Sequence, residues 1–254
     1  MPAVTRLPSR ASLLTEPPRA GLDLAALATT WPLLATARRG DGHPVLVLPG
    51  LLTGDPATLV LRTALRALGH DVSGWSLGLN RGPTGHVVHT LRDRLERLHR
   101  TSGRRVSLVG WSLGGLYARE LARAAPGSVR GLVTLGTPVV RWAPWVRTAS
   151  GIVDGGTGLL RQAAALPRPW AERGSLRVPA TSVYTRADGI VHWSSCRYEV
   201  GPRRENVEVR GSHLGLAVNP AVLWVLADRL GIAEGAWKPF RPPLGLSTLF
   251  PRSR

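Results

Sequence analysis

The sequence predicts an α/β fold: a mostly parallel sheet with helices on both faces. Three observations lead there. Short runs of apolar and β-branched residues recur at Val45–Leu48, Val106–Val109, Val129–Leu135 and Ala180–Thr185. Runs of this kind mark strands buried on both sides of a parallel sheet. Between them lie stretches with apolar residues at helical spacing, bounded by capping residues. The third observation is the stretch Arg104–Glu120, RRVSLVGWSLGGLYARE, which reads strand, tight turn, helix.

That stretch organises the chain. Gly110-Trp111-Ser112-Leu113-Gly114 matches G-x-S-x-G between a strand and a helix. Such a turn forces its middle residue into a strained backbone, and the flanking glycines remove the side chains that would collide there. Ser112 is thereby pushed out above the sheet at the start of a helix.

Composition narrows the possibilities. The chain has 254 residues, 43% of them hydrophobic, enough for one α/β domain with a sizeable core. The formal net charge is +17, from 33 basic and 16 acidic residues. Nucleic acid is nevertheless not the expected partner. Lys238 is the lone lysine, and the arginines are spread along the chain without basic-aromatic clusters. An anionic lipid surface or substrate fits the charge better, as a peripheral contact. Cys196 is the lone cysteine, so an intrachain disulfide and a cysteine metal cluster are excluded. It reads as a small buried apolar residue. No run reaches the ~18 apolar residues of a transmembrane helix. Ala20–Ala37 comes nearest and ends in Ala35-Thr36-Ala37, which resembles a signal-peptidase site. The long leader with Glu16, Pro17 and Pro18 argues for a cytoplasmic protein over a secreted one.

Taken in order, residues 1 to about 18 read as loose, and Leu22–Ala37 as one or two helical turns bent at Pro32. The first strand, Val45–Leu48, ends at Pro49-Gly50. Asp55-Pro56 reads as an N-cap with first-turn proline, opening a helix closed by Gly69. His70–Leu79 is expected as the next strand. Thr84 caps a helix with Val87, Val88, Leu91, Leu95 and Leu98 on its apolar face. After the Ser112 unit comes the strand Val129–Leu135. Residues 139 to about 177 break the rhythm and read as an insertion with Trp142, Trp145 and Trp170. Ala180–Thr185 and Asn206–Arg210 are the last strands. Asn219-Pro220 opens the final helix, closed by Gly231. The Pro- and Arg-rich tail from Ala236 is expected to be extended or disordered.

In a parallel sheet, function lies in the loops at the carboxyl ends of the strands. A serine hydroxyl needs a base there, and the base needs an orienting acid. His213 follows the last strand at that edge. His43 and His70 stand at the opposite edge. His86, His89 and His99 lie on the amphipathic helix, and His192 is the rival. Asp188 directly follows a strand, whereas Asp154 lies in the insertion and Asp228 on the final helix. The tetrahedral oxyanion needs two N–H donors. Leu113, after the nucleophile, is one, and Leu51, after Pro49-Gly50, is the natural second.

The order Ser112, Asp188, His213, with the segments VLVLPGLL (Val45–Leu52), GWSLGG (Gly110–Gly115), LGTP (Leu135–Pro138), YTRADGIV (Tyr184–Val191) and GSHLGL (Gly211–Leu216), resembles the α/β-hydrolase superfamily over residues 43 to 230. Within it the chain looks like small bacterial lipases and esterases. Many relatives have His-Gly where this chain has Pro49-Gly50. The antiparallel strands that open larger relatives are not evident before residue 43, so the resemblance implies a sheet of about six strands. It also implies that the insertion is a cap over the site.

The expected organisation is an N-terminal arm with a short helix (1–42), a core (43–138 and 178–232), a cap (139–177) and a C-terminal tail (233–254). The expected function is hydrolysis of carboxylic esters of apolar acids, or of lipids, through an acyl-enzyme. Trp111, Trp142 and Trp145 would line the substrate pocket, and no metal or organic cofactor is implied. Two other readings stand beside it: an acyltransferase on the same triad, and a non-catalytic lipid- or membrane-binding protein.

Overall fold

The computed structural model describes residues 8–139 and 176–251. Trp142, Trp145, Trp170 and nearly all of the expected cap lie outside the described residues. Six strands form one sheet: β1 (Pro44–Leu48), β2 (Asp71–Ser73), β3 (Val106–Trp111), β4 (Val129–Leu135), β5 (Ala180–Tyr184) and β6 (Arg204–Glu208). Their order is β2-β1-β3-β4-β5-β6, and every neighbouring pair is parallel. The helices are α1 (Arg10–Leu14), α2 (Glu16–Leu34), α3 (Leu59–Ala67), α4 (Gly85–Ser102), α5 (Leu113–Ala124) and α6 (Pro220–Gly231).

The alternation along β1 explains the two layers. Val45 and Val47 join a core with α2, α3 and α6, through Leu27, Leu34, Leu61, Leu65, Val222 and Leu226. Leu46 and Leu48 join the other core, with α4 and α5, through Leu91, Leu95, Tyr117 and Leu121. The expected caps at Thr84 and Asn219 form: Thr84 Oγ1 accepts from Val87 N at 3.2 Å, and Asn219 Oδ1 from Ala221 N at 2.9 Å. Cys196 is fully buried, and burial pushes its thiol pKa well up.

Several expectations change. Residues 10–14 and 16–34 are helical, so part of the segment expected to be loose up to about residue 18 is ordered, and the helical turns expected from Leu22 belong to one longer helix. Ser9 Oγ caps α1, and Pro17 and Pro18 sit in the first turn of α2, where a missing N–H costs nothing. Asp55 does not cap a helix. Its carboxylate accepts from Trp75 N at 2.9 Å and Ser76 N at 3.0 Å, on the chain leaving β2. That diversion limits β2 to three residues of the expected 70–79 run. β6 begins two residues earlier than expected. The tail packs down: Phe240 and Phe250 are buried with rings 5.1 Å apart, and Phe240 N donates to Glu205 Oε2 at 2.7 Å. Among the described residues, no helix is long and apolar enough to cross a membrane.

Candidate active site

The strand order reverses between β1 and β3, opening a crevice at their carboxyl ends. Ser112 sits there, between β3 and α5, with φ 53° and ψ −121°. A non-glycine residue reaches that region only where the surroundings impose it. The surroundings here are close backbone approaches. A Cβ on Gly110 would lie 2.3 Å from the Gly115 Cα, and one on Gly114 only 2.1 Å from the Leu48 carbonyl oxygen. Ser112 N donates to Leu135 O at 2.8 Å, and Thr137 Oγ1 donates to Ser112 O at 2.9 Å, so neighbouring β4 holds the turn.

The loop after β1 lies against this turn. A Cβ on Gly50 would sit 3.3 Å from the Ser112 Cβ. Among the described residues, the N–H groups of Leu51 and Leu113 donate to no other group. Buried Asn80 pins the loop: its Nδ2 donates to Pro49 O and Gly50 O, each at 3.0 Å, and its Oδ1 accepts from Tyr117 Oη at 3.0 Å. Nothing in the sequence sets Asn80 apart from any loop asparagine.

Asp188 and His213 come together. His213 Nδ1 lies 2.7 Å from Asp188 Oδ2, and both residues are at least 95% buried. Asp188 Oδ1 accepts from Ile190 N at 2.8 Å and Val191 N at 2.6 Å, which fixes the carboxylate. Burial alone would lower the pKa of the imidazole. The Asp188 charge and hydrogen bond, joined by the Glu16 charge, outweigh burial and raise it above the ordinary histidine value.

Among the described residues, the Ser112 hydroxyl makes no hydrogen bond to His213. Trp111, next to Ser112, was expected in the pocket wall. At 5% exposure it lies beneath the site, and its Nε1 donates to His213 O at 3.1 Å. It therefore ties the Ser112 turn to the His213 loop. His192, the rival, opens a 3-10 turn with its Nδ1 2.8 Å from Ser194 Oγ.

A second serine–histidine–aspartate set lies at the opposite edge. His43 Nε2 is 2.8 Å from Ser107 Oγ, and His43 Nδ1 is 2.6 Å from Asp41 Oδ1. Ser107 is 3% exposed inside β3 and His43 fully buried, while the Asp41 carboxylate is exposed and also pairs with Arg104 and Arg130. Hydrogen bonding alone does not make a site; the strained turn between strand and helix at the β1/β3 crevice does. Among the described residues, no group of three histidine, cysteine or acidic side chains is placed to hold a metal ion.

Two residues of α2 that the sequence reading passed over reach this site. Glu16 accepts from Gly189 N and Leu214 N, and Asp23 accepts from Ser212 N and Oγ.

No protein-family model and no curated protein matches the chain. Solved structures do. Lipase B of Aspergillus fumigatus superposes with a TM-score of 0.57 at 17% identity, covering 86% of this chain and 59% of the lipase. A pyrethroid hydrolase superposes with a TM-score of 0.52 at 16% identity, over 74% of this chain and 96% of its own. An α/β-hydrolase enzyme from a sediment metagenome of the Mar Chica lagoon superposes with a TM-score of 0.50 at 18% identity, over 75% and 91%. The sheet order, the strained serine turn and these similarities agree: this chain has the α/β-hydrolase fold, shared with hydrolytic enzymes of the lipase and esterase kind.

Proposed function

We propose that the protein is a serine hydrolase of carboxylic esters with apolar acyl groups. Ser112 is the nucleophile, His213 the base, and Asp188 the acid that orients it. The observation that carries this reading is the strained Ser112 turn at the β1/β3 crevice, beside the bonded Asp188–His213 pair.

His213 Nε2 takes the hydroxyl proton as Ser112 Oγ bonds to the ester carbonyl carbon. The oxyanion accepts hydrogen bonds from the N–H groups of Leu51 and Leu113. The tetrahedral intermediate collapses, the carbon–alkoxide bond breaks, and the leaving oxygen takes the proton from His213. Water repeats the sequence on the acyl-enzyme and releases the acid. The base must be neutral to act, so activity falls with acid as His213 protonates. Its raised pKa places that fall above the ordinary histidine value of 6.5.

The test pairs labelling with turnover. A fluorophosphonate should label the protein at Ser112. Ser112→Ala should abolish labelling and lower turnover on p-nitrophenyl esters by about 10⁶, the scale of a comparable triad. A Ser112→Ala protein with near-normal turnover would sink the proposal.

A further inference from the structure

We propose that Glu16 is a positioning residue for the Asp188–His213 pair: one buried carboxylate on helix α2 ties the acid loop to the base loop. The inference deepens the reading above and rests on it for the word catalysis. Glu16 is 1% exposed. Its Oε1 accepts from Gly189 N at 2.7 Å, and its Oε2 accepts from Leu214 N at 2.9 Å. Gly189 directly follows Asp188, and Leu214 directly follows His213. The clamp therefore acts one peptide unit from each member of the pair.

Other groups on the two N-terminal helices complete it. Arg19 Nη2 bonds Glu16 Oε1 at 3.0 Å and Ser12 O at 2.7 Å, and Arg19 Nη1 bonds Ala187 O at 2.6 Å, in the acid loop. Asp23 Oδ2 accepts from Ser212 N at 3.1 Å and Ser212 Oγ at 3.0 Å, and its Oδ1 from Asn219 Nδ2 at 2.8 Å. Every fixed point lies within two residues of Asp188 or His213, apart from Ser12 and Asn219. Two carboxylates act on the imidazole from the packed elements, Asp188 from the loop after β5 and Glu16 from α2, while Arg19 pairs with Glu16 and Asp23 with Ser212. Asp188 and Glu16 favour its protonated form. The pair thus depends on α2 both for its spacing and for part of its electrostatics.

The variant Glu16→Gln keeps the size and one acceptor, loses the charge, and cannot receive both N–H groups. In folded full-length protein it should lower kcat on a p-nitrophenyl ester by about ten- to a hundredfold, the scale of a small misplacement at a reacting pair, with little change in KM. The acid limb of the pH–rate profile should move to lower pH, and the His213 imidazole titration followed by NMR should move with it. An unchanged kcat and an unmoved imidazole, with only a lower thermal midpoint, would overturn the proposal. Arg19→Gln provides a second arm of opposite sign: with its cation gone, Glu16 acts more strongly on the ring and the titration should move up. If it stays in place in Arg19→Gln, the proposal also fails. The NMR titration needs no turnover. A wild-type protein that hydrolyses no ester would refute the proposed function while leaving the Glu16 clamp to be decided by the imidazole.

Discussion

At the scale of single residues, burial decides which histidine does what. His213 is buried beside one carboxylate and within reach of a second, and its pKa rises. His43 and His70 are buried at the other edge and move the opposite way. Burial lowers His70 to about 4, and the neighbouring His43 adds to it. Both His70 ring nitrogens are buried without a hydrogen-bond partner among the described residues, and its ring stands edge-on to His43 at 5.2 Å. This has a consequence for acid stability. The unfolded chain protonates His70 near its ordinary value of 6.5, while the native state resists until about 4. Between those values the unfolded state binds more protons, so stability falls as pH falls, and the loss is complete below the lower value. A shift of this size corresponds to about 3 kcal/mol. Urea unfolding between pH 7 and pH 4 should show that decline, and His70→Leu should flatten it. An equally steep decline in His70→Leu would assign the acid sensitivity elsewhere.

At the scale of elements, the Ser112 turn rests on how closely α5 approaches β1. A Cβ on Gly114 would meet the Leu48 carbonyl oxygen at 2.1 Å and the Pro49 carbonyl oxygen at 2.7 Å. Both are backbone atoms and cannot swing aside as a side chain would. Gly114→Ala should therefore force α5 outward, destabilising the protein by about 3 kcal/mol and lowering turnover together. Denaturant midpoints and kcat on one sample check both. A midpoint equal to that of wild type would show that the helix and strand do not approach this closely. Asn80 adds to this packing by fixing the Pro49 and Gly50 carbonyls.

At the scale of the molecule, a net charge of +17 on 254 residues opposes compaction by self-repulsion. Several acidic groups are withdrawn from the surface into local roles: Glu16, Asp188, Glu205 and Glu208 are each buried. The arginines left outside repel one another over the Debye length, which shrinks from about 30 Å at 0.01 M salt to about 8 Å at 0.15 M. Raising ionic strength across that range at constant pH should raise the thermal midpoint by a few degrees, roughly 1 kcal/mol for a chain of this length. A midpoint that falls with salt would mean that the ion pairs, such as Arg229 with Glu205, outweigh the repulsion.

The sequence alone determined what depends on near neighbours along the chain. Apolar runs between capped helical stretches specified the parallel sheet, and G-x-S-x-G specified the strained turn, because glycine and serine act on their own backbone and the next few residues. The candidate acid and base were legible for a related reason: each directly follows a strand, and parallel strands bring such loops to one edge. Pairing over distance was left to the tertiary structure. Glu16 reaches amides 173 and 198 residues further along the chain, and no local pattern marks it. Its neighbours Pro17 and Pro18 suggested a loose leader, yet in a first helical turn they cost no hydrogen bond. Phe240 and Phe250 were masked by the prolines and arginines around them, and only the cleft they fill makes the tail part of the core. A hydrogen bond or an apolar contact between distant residues forms only once the fold has closed the chain between them. Its energy is a property of that closure, and the residues show it only when they meet.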